Sequence, residues 1–264
     1  MKGTVLYEVR DGVALLTVDN PPVNPLSDGV RAGLYEGIEK AEADSSVVGV
    51  VLTGNGRAFI AGADISEFGG SGEGHGLHEV FKKLEYCSKP VVAAINGLAL
   101  GGGLETALCC NYRIASNQAF VGLPEVNLGL LPGAGGTQRL PRLVGPSEAL
   151  KIMLSGSHVT AKKALSLGIV DSLSDNVVED SIKFIKEKAA SSDSHPLVRD
   201  LNDKIIEARG NDNILVEAQA MTAKSRKGQF APGQIIKCVE AAINLDDFDE
   251  GLKKEAKYFL ECLV

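Results

Sequence analysis

The sequence predicts an α/β core with a helical C-terminal region. Strand-like and helix-like runs alternate through the first two thirds, the short strands are nearly all apolar, and beyond residue 178 the apolar residues recur mostly at helical spacing. Apolar strands of this kind are covered on both faces, as in a sheet flanked by helices. The change of pattern places a boundary near residue 190, giving a core over residues 1–190 and a helical region over residues 191–264. A chain of 264 residues can bury a sizeable core.

The first element is a β-hairpin. Residues 5–10 and 13–19 are β-rich and flank Asp11-Gly12, a pair suited to the positive φ angles of a tight turn. After Pro21-Pro22, Val30, Leu34, Ile38 and Ala41 repeat at helical spacing, and Ser27 is placed to cap the first turn. Residues 47–53 read as a buried strand ending at Gly54-Asn55-Gly56, and the loop beyond carries Ala61-Gly62-Ala63-Asp64. Residues 69–76 are too glycine-rich for regular structure and read as a mobile surface loop, after which residues 77–83 resume a helix.

Residues 90–96 make another buried strand, and Gly101-Gly102-Gly103 separates it from the helix-forming residues 104–110. Further on, Ile182, Ile185 and Ala189, then Ile235, Val239, Ala242 and Ile243, mark helices. No fixed-period repeat is visible, and the strand-strand-helix rhythm alone leaves the topology open.

Composition narrows the function classes. Hydrophobic residues make up 44% and charged residues 23%, and no stretch approaches the roughly 20 apolar residues of a membrane span. The N-terminus lacks the apolar segment of a secretory signal. The odd set Cys87, Cys109, Cys110, Cys238 and Cys262 lacks metal-ligand spacing and reads as reduced packing thiols in an intracellular setting. A formal net charge of −7 works against non-specific nucleic-acid binding.

Two glycine-rich segments could present backbone donors. Gly101-Gly102-Gly103 opens a helix, where a ligand can approach amides that have no helical partner, although the same glycines suit a tight turn. Ala61-Gly62-Ala63-Asp64 also follows an apolar strand, with Asp64 equally readable as a helix cap or ion-pair partner. One amide from each, converging in a dry pocket, would stabilise a developing oxyanion by about 3 kcal/mol per donor.

Glu105 and Glu125 each stand alone in an apolar run. A buried carboxylate there must be hydrogen-bonded, paired or protonated, and burial raises its pKa; the bland alternative is an exposed position. Together they are a candidate general acid/base pair. Residues 131–137 lack the ending of a phosphate loop. His75, His78, His158 and His195 form no metal pattern and read as exposed. No nucleophile elbow is present.

The runs Ala58-Phe59-Ile60-Ala61-Gly62-Ala63-Asp64-Ile65, Lys89-Pro90-Val91-Val92-Ala93-Ala94-Ile95-Asn96-Gly97-Leu98-Ala99-Leu100-Gly101-Gly102-Gly103-Leu104-Glu105 and Gly122-Leu123-Pro124-Glu125-Val126-Asn127-Leu128-Gly129 continue into Leu130-Leu131-Pro132-Gly133-Ala134-Gly135-Gly136-Thr137-Gln138-Arg139-Leu140. Over roughly residues 5–175 the sequence resembles the enoyl-CoA hydratase/isomerase (crotonase) superfamily. Asn20-Pro21-Pro22-Val23-Asn24 and Tyr112-Arg113-Ile114-Ala115 are similar to the hydratase/isomerase half of multifunctional fatty-acid oxidation enzymes. The same holds for Phe230-Ala231-Pro232 and Gly251-Leu252-Lys253-Lys254-Glu255.

The resemblance implies a crotonase-like spiral of β-β-α turns with a helical C-terminal region. It implies that the amides of Ala63 and Gly102 form an oxyanion hole, with Ala61, Gly62, Asp64 and Gly101 in the substrate-binding segments. Glu105 would act on water and Glu125 on the α-proton, hydrating trans-2-enoyl-CoA to 3-hydroxyacyl-CoA with side Δ3-Δ2 isomerisation. The alternatives are chiefly an isomerase, or a non-catalytic acyl-CoA-binding module.

The implied partner is an acyl-CoA substrate, with no metal or redox cofactor, no nucleic acid and no membrane. The implied assembly is a homotrimer or hexamer if the chain stands alone, and a monomer if it is part of a longer chain with a dehydrogenase half. The compartment is cytoplasmic for a bacterial source, and peroxisomal or mitochondrial for a eukaryotic one. Asn111 and Leu123 depart from the aspartate and glutamine of many stand-alone hydratases.

Overall fold

The computed structural model describes residues 3–64, 67, 74–191 and 193–263. It opens on the predicted hairpin, β1 (Thr4–Arg10) paired antiparallel with β2 (Val13–Asp19). Asp11 and Gly12 take φ angles of 51° and 77°, the left-handed pair a tight hairpin turn needs. Helix α1 (Asp28–Ala43) follows, burying Val30, Leu34, Ile38 and Ala41 as the spacing predicts. Ser27 occupies the capping position, but its hydroxyl accepts from Asn20 Nδ2 at 3.0 Å rather than from a first-turn amide.

From there the chain winds in β-β-α turns. The first has β3 (Gly49–Gly54), β4 (Ala58–Ala61) and α2 (Leu77–Glu85). The second has β5 (Val91–Ile95), β6 (Leu98–Leu100) and α3 (Gly102–Cys109). The third has β7 (Tyr112–Ser116), β8 (Phe120–Gly122), a 3-10 turn (Glu125–Leu128) and α4 (Gly136–Val144). Then come α5 (Pro146–Ser155), β9 (Val159–Thr160), α6 (Ala161–Leu167), β10 (Ser172–Ser174) and α7 (Val177–Ala190).

Each turn adds one strand to each of two sheets. The six-stranded sheet has the order β1-β2-β3-β5-β7-β10 and is parallel after its opening hairpin. The four-stranded sheet has the order β4-β6-β8-β9. This is the crotonase-like spiral, a topology that residue patterning left undecided.

The large sheet has apolar residues on both faces, which explains strands that read as continuous apolar runs. Leu16, Val50, Leu52 and Ala93 face the main core, while Leu15, Val51, Val92 and Ile114 pack against Ile182 and Ile185 of α7. Gly49 makes that contact possible, because a Cβ there would lie 2.8 Å from Ile185 Cγ1.

Beyond Ala190 the described residues are a 3-10 turn (Val198–Asp200), α8 (Asp203–Ala208), α9 (Asn213–Ser225), α10 (Ala231–Asn244) and α11 (Phe248–Cys262). Both α10 and α11 pack on α4. No described helix is long and apolar enough to cross a membrane.

Some expectations shift. The three-residue strands β6 and β8 escaped the periodicity, being too short to show one. Helix α3 begins at Gly102 rather than after the glycines. His78 and His158 are exposed, but His75 is half-buried and stacks on Tyr35 at 3.8 Å. His195 is also half-buried, with Nδ1 3.0 Å from the Tyr112 hydroxyl. Residues 69–73 of the glycine-rich stretch lie outside the described residues, as do the two immediately after Asp64.

Candidate active site

Strand β6 ends at Leu100, and Gly101 turns the chain with φ 54° and ψ −126° while its amide donates to Gly122 O at 2.9 Å. That turn makes Gly102 the first residue of α3, whose amide has no partner within the helix. Opposite lies the end of β4: Ala61 N donates to Val23 O, Leu26 N donates to Gly62 O, and Ala63 pairs with Leu26. A Cβ added to Gly102 would sit 3.5 Å from the Ala63 nitrogen. The structure therefore brings the Ala63 and Gly102 backbones side by side, from two different strand-to-helix connections.

Both lie on a cavity of about 460 Å3 that is also lined by Ala61, Gly62, Gly101, Glu105 and Glu125. Asp64 is adjacent in sequence but outside the lining. The rest of the wall is largely apolar, with Leu100, Leu130 and Leu131 from the core and Ala256, Phe259 and Leu260 from α11. Such a shape suits an apolar chain next to a few polar groups.

The two acids have unlike surroundings. Glu105, on α3, is buried, and its Oε1 accepts from the Ala134 amide at 2.9 Å and the Gly136 amide at 2.8 Å. Burial raises its pKa, while the two amides and the nearby Arg139 oppose the rise. Glu125 begins the 3-10 turn after Pro124, and its buried Oε2 has no hydrogen-bond partner. Burial, then the charge of Glu105, push this carboxyl well above the usual carboxylate range. Glu125 Oε1 lies only 3.0 Å from where a Cβ on Gly101 would stand.

Both carboxyls are raised, but the two amides and Arg139 hold Glu105 back while Glu125 has no such help, so Glu105 is the easier of the two to ionise and Glu125 the one that keeps its proton longer. Cys109 and Cys110 lie fully buried near this region, and burial holds both thiols protonated, with Cys110 pushed up to about 12.

Sequence reasoning passed over a third acid. Glu255 of α11 has no exposed surface and accepts from the Gly135 amide at 2.7 Å and the Thr137 amide at 3.1 Å. Burial and the charge of Glu105 push it up to about 8. Glu255 continues the buried stripe of Phe248 and Gly251 on α11, an unusual place for a carboxylate that the surrounding lysines mask in the sequence.

The two departures have local explanations. Asn111 Oδ1 accepts from Val91 N at 2.8 Å and its Nδ2 donates to Pro196 O at 3.2 Å, a donation an aspartate could not make. Leu123 is fully buried in the main core.

Comparison with known proteins shows the family. The enoyl-CoA hydratase/isomerase family model matches residues 8–233. The peroxisomal bifunctional enzyme of Danio rerio is 43% identical over 253 residues, covering 95% of this chain and 35% of the relative. The fatty acid oxidation complex subunit alpha of Shewanella frigidimarina is 39% identical over 274 residues, covering 96% of this chain and 38% of its own length. The chain therefore spans about a third of the length of the curated relatives it matches.

Among solved structures, an enoyl-CoA hydratase/isomerase from Pseudoalteromonas atlantica superposes with a TM-score of 0.70 at 27% identity, covering 99% of this chain and 92% of the other. A monofunctional enoyl CoA isomerase from M. smegmatis gives 0.62 at 34% identity, covering 74% and 88%. With a family match across most of its length, a spiral fold and two acids on one apolar cavity, the chain belongs to the enoyl-CoA hydratase/isomerase family.

Proposed function

We propose that the chain hydrates trans-2-enoyl-CoA thioesters of fatty-acid oxidation to 3-hydroxyacyl-CoA. The observation that carries this reading is the pair of unlike carboxyls on one cavity, Glu105 tethered by two amides and Glu125 with an unpartnered buried oxygen. Addition of water needs both roles, a base for the water and an acid for the carbon next to the thioester.

The thioester oxygen lies between the Ala63 and Gly102 amides, which stabilise it as negative charge develops. Ionised Glu105 takes one proton from water as its oxygen bonds to carbon 3. The electron pair of the double bond moves towards the thioester, and carbon 2 takes the proton of Glu125. The site is left with its proton on Glu105, and transfer back to Glu125 resets it. Every atom added comes from water, so the reaction balances without a redox partner or metal.

The test is hydration of a short 2-enoyl-CoA, followed by loss of conjugated thioester absorbance. Glu105→Gln and Glu125→Gln, each folded, are expected to lose at least about a hundredfold in kcat. Wild-type rates in either variant would overturn the assignment. The wild-type rate should trace a bell against pH, with Glu105 protonation on the acid side and Glu125 ionisation on the alkaline side.

The free oxygen of Glu125 favours a second reading, in which one acid shuttles a proton between carbons 2 and 4 of a 3-enoyl-CoA. If a 3-enoyl-CoA yields only its 2-enoyl isomer on long incubation, isomerisation is the main activity. No turnover of either thioester would leave a binding role.

A further inference from the structure

Glu255 is fully buried beside the site, yet it does not line the cavity. Its Oε1 takes the Gly135 amide at 2.7 Å, and its Oε2 takes the Thr137 amide at 3.1 Å together with the Thr137 hydroxyl. Glu105 Oε1 takes the other two amides of this stretch, Ala134 at 2.9 Å and Gly136 at 2.8 Å. Four consecutive amides of one turn therefore alternate between two carboxylates.

The turn is the start of α4, where amides lack helical partners and the helix dipole favours negative charge. Neither carboxylate can shift along it without disturbing the amides held by the other. Gln138 Nε2 donates to the Thr137 oxygen at 3.0 Å and to Cys238 O at 2.9 Å, which leaves the hydroxyl proton directed at Glu255.

We propose that Glu255 is a positioning residue for hydration: from α11 it holds the Gly135 and Thr137 amides and so fixes the turn whose other two amides aim Glu105 at the attacking water. The proposal rests on Glu105 being the base that takes a proton from water. It gives α11 a role in the chemistry, through hydrogen bonds to the main chain.

The test compares Glu255→Gln with wild type. Glutamine keeps the shape and can still accept from Gly135, but its amide nitrogen cannot accept from Thr137. Hydration kcat is expected to fall about tenfold or more while KM stays within about threefold, because the cavity wall is unchanged. In a Glu105→Gln background the same substitution is expected to add less than about threefold, since it has no base left to aim.

A full extra loss in that background, an unchanged kcat, or a rise in KM of the same size as the fall in kcat would each overturn the proposal. Should Glu255→Gln fail to fold, Thr137→Val decides. It keeps the carboxylate but removes one donor, and the same kcat-specific loss, smaller in size, is expected; an unchanged kcat overturns the proposal. A wild-type protein that does not hydrate 2-enoyl-CoA removes the underlying reading and the proposal with it, and is recognised before any variant is made.

Discussion

At Gly101 a single residue joins fold to chemistry. Its φ of 54° with ψ −126° belongs to a region that side chains strongly disfavour, and a Cβ there would lie 3.0 Å from Glu125 Oε1. Gly101→Ala is therefore expected to cost about 1–3 kcal/mol in stability by urea unfolding. Displacement of the Glu125 carboxyl should also lower activity more than tenfold at temperatures where the variant remains folded. Equal stability with full activity would show that the turn tolerates a side chain.

Much of the site was legible at this scale. Two lone acids in apolar runs and two glycine-rich strand ends stand out because each breaks its surroundings within a few residues. Glu255 did not stand out: its sequence neighbours are Lys253, Lys254 and Lys257, and its partner Gly135 is 120 positions away. Its meaning comes from a contact that local pattern does not carry.

Between elements, a buried ion pair joins α2 to α4. Arg139 of α4 makes two bonds of 2.9 Å to Glu85 of α2, and both side chains are buried. Arg199 also reaches Glu85 at 3.5 Å, and the guanidiniums of Arg139, Arg142 and Arg199 all lie within about 5 Å of the Phe248 ring of α11. Breaking a buried pair leaves a charge without its partner, so Glu85→Gln is expected to cost about 3–5 kcal/mol. Replacing both partners, Glu85→Met with Arg139→Met, should cost less than that in chemical denaturation. A double variant less stable than Glu85→Gln would contradict the argument.

At this level the sequence was readable where a strand or helix is long. Val50, Val51 and Leu52 announced β3 because burial on both faces leaves no polar alternation, although the strand starts at Gly49 rather than at Val47. Strand β8 spans only Phe120–Gly122, and its place is set by pairing with β6 and β9 rather than by its own pattern.

Across the whole molecule, the three acids at the site give stability a pH dependence of definite sign. A carboxyl whose folded pKa lies above its unfolded value binds its proton more tightly in the folded state. Its contribution is full below the unfolded pKa and is lost as pH rises through the folded one. Glu105, Glu125 and Glu255 are all raised, Glu255 from 4.5 to about 8. The melting temperature is expected to fall as pH rises from about 5 to about 9, and Glu125→Gln should fall less over the same interval. Calorimetry at a series of pH values measures both slopes, and parallel slopes would refute the role given to Glu125.

The spiral itself was not readable from patterning, because each turn's two strands join different sheets and the choice depends on neighbours one turn away. Resemblance supplied what periodicity could not.

The grip of Glu255 on the Gly135–Thr137 backbone also orders events in time. During synthesis the spiral emerges from the ribosome first, and its turns can pile up as they appear. The nascent chain must lengthen by more than a hundred residues after Thr137 before Glu255 exists to clasp that backbone. Until then the loop beneath Glu105 is held from one side only, so its full set of contacts waits for α11 to leave the tunnel.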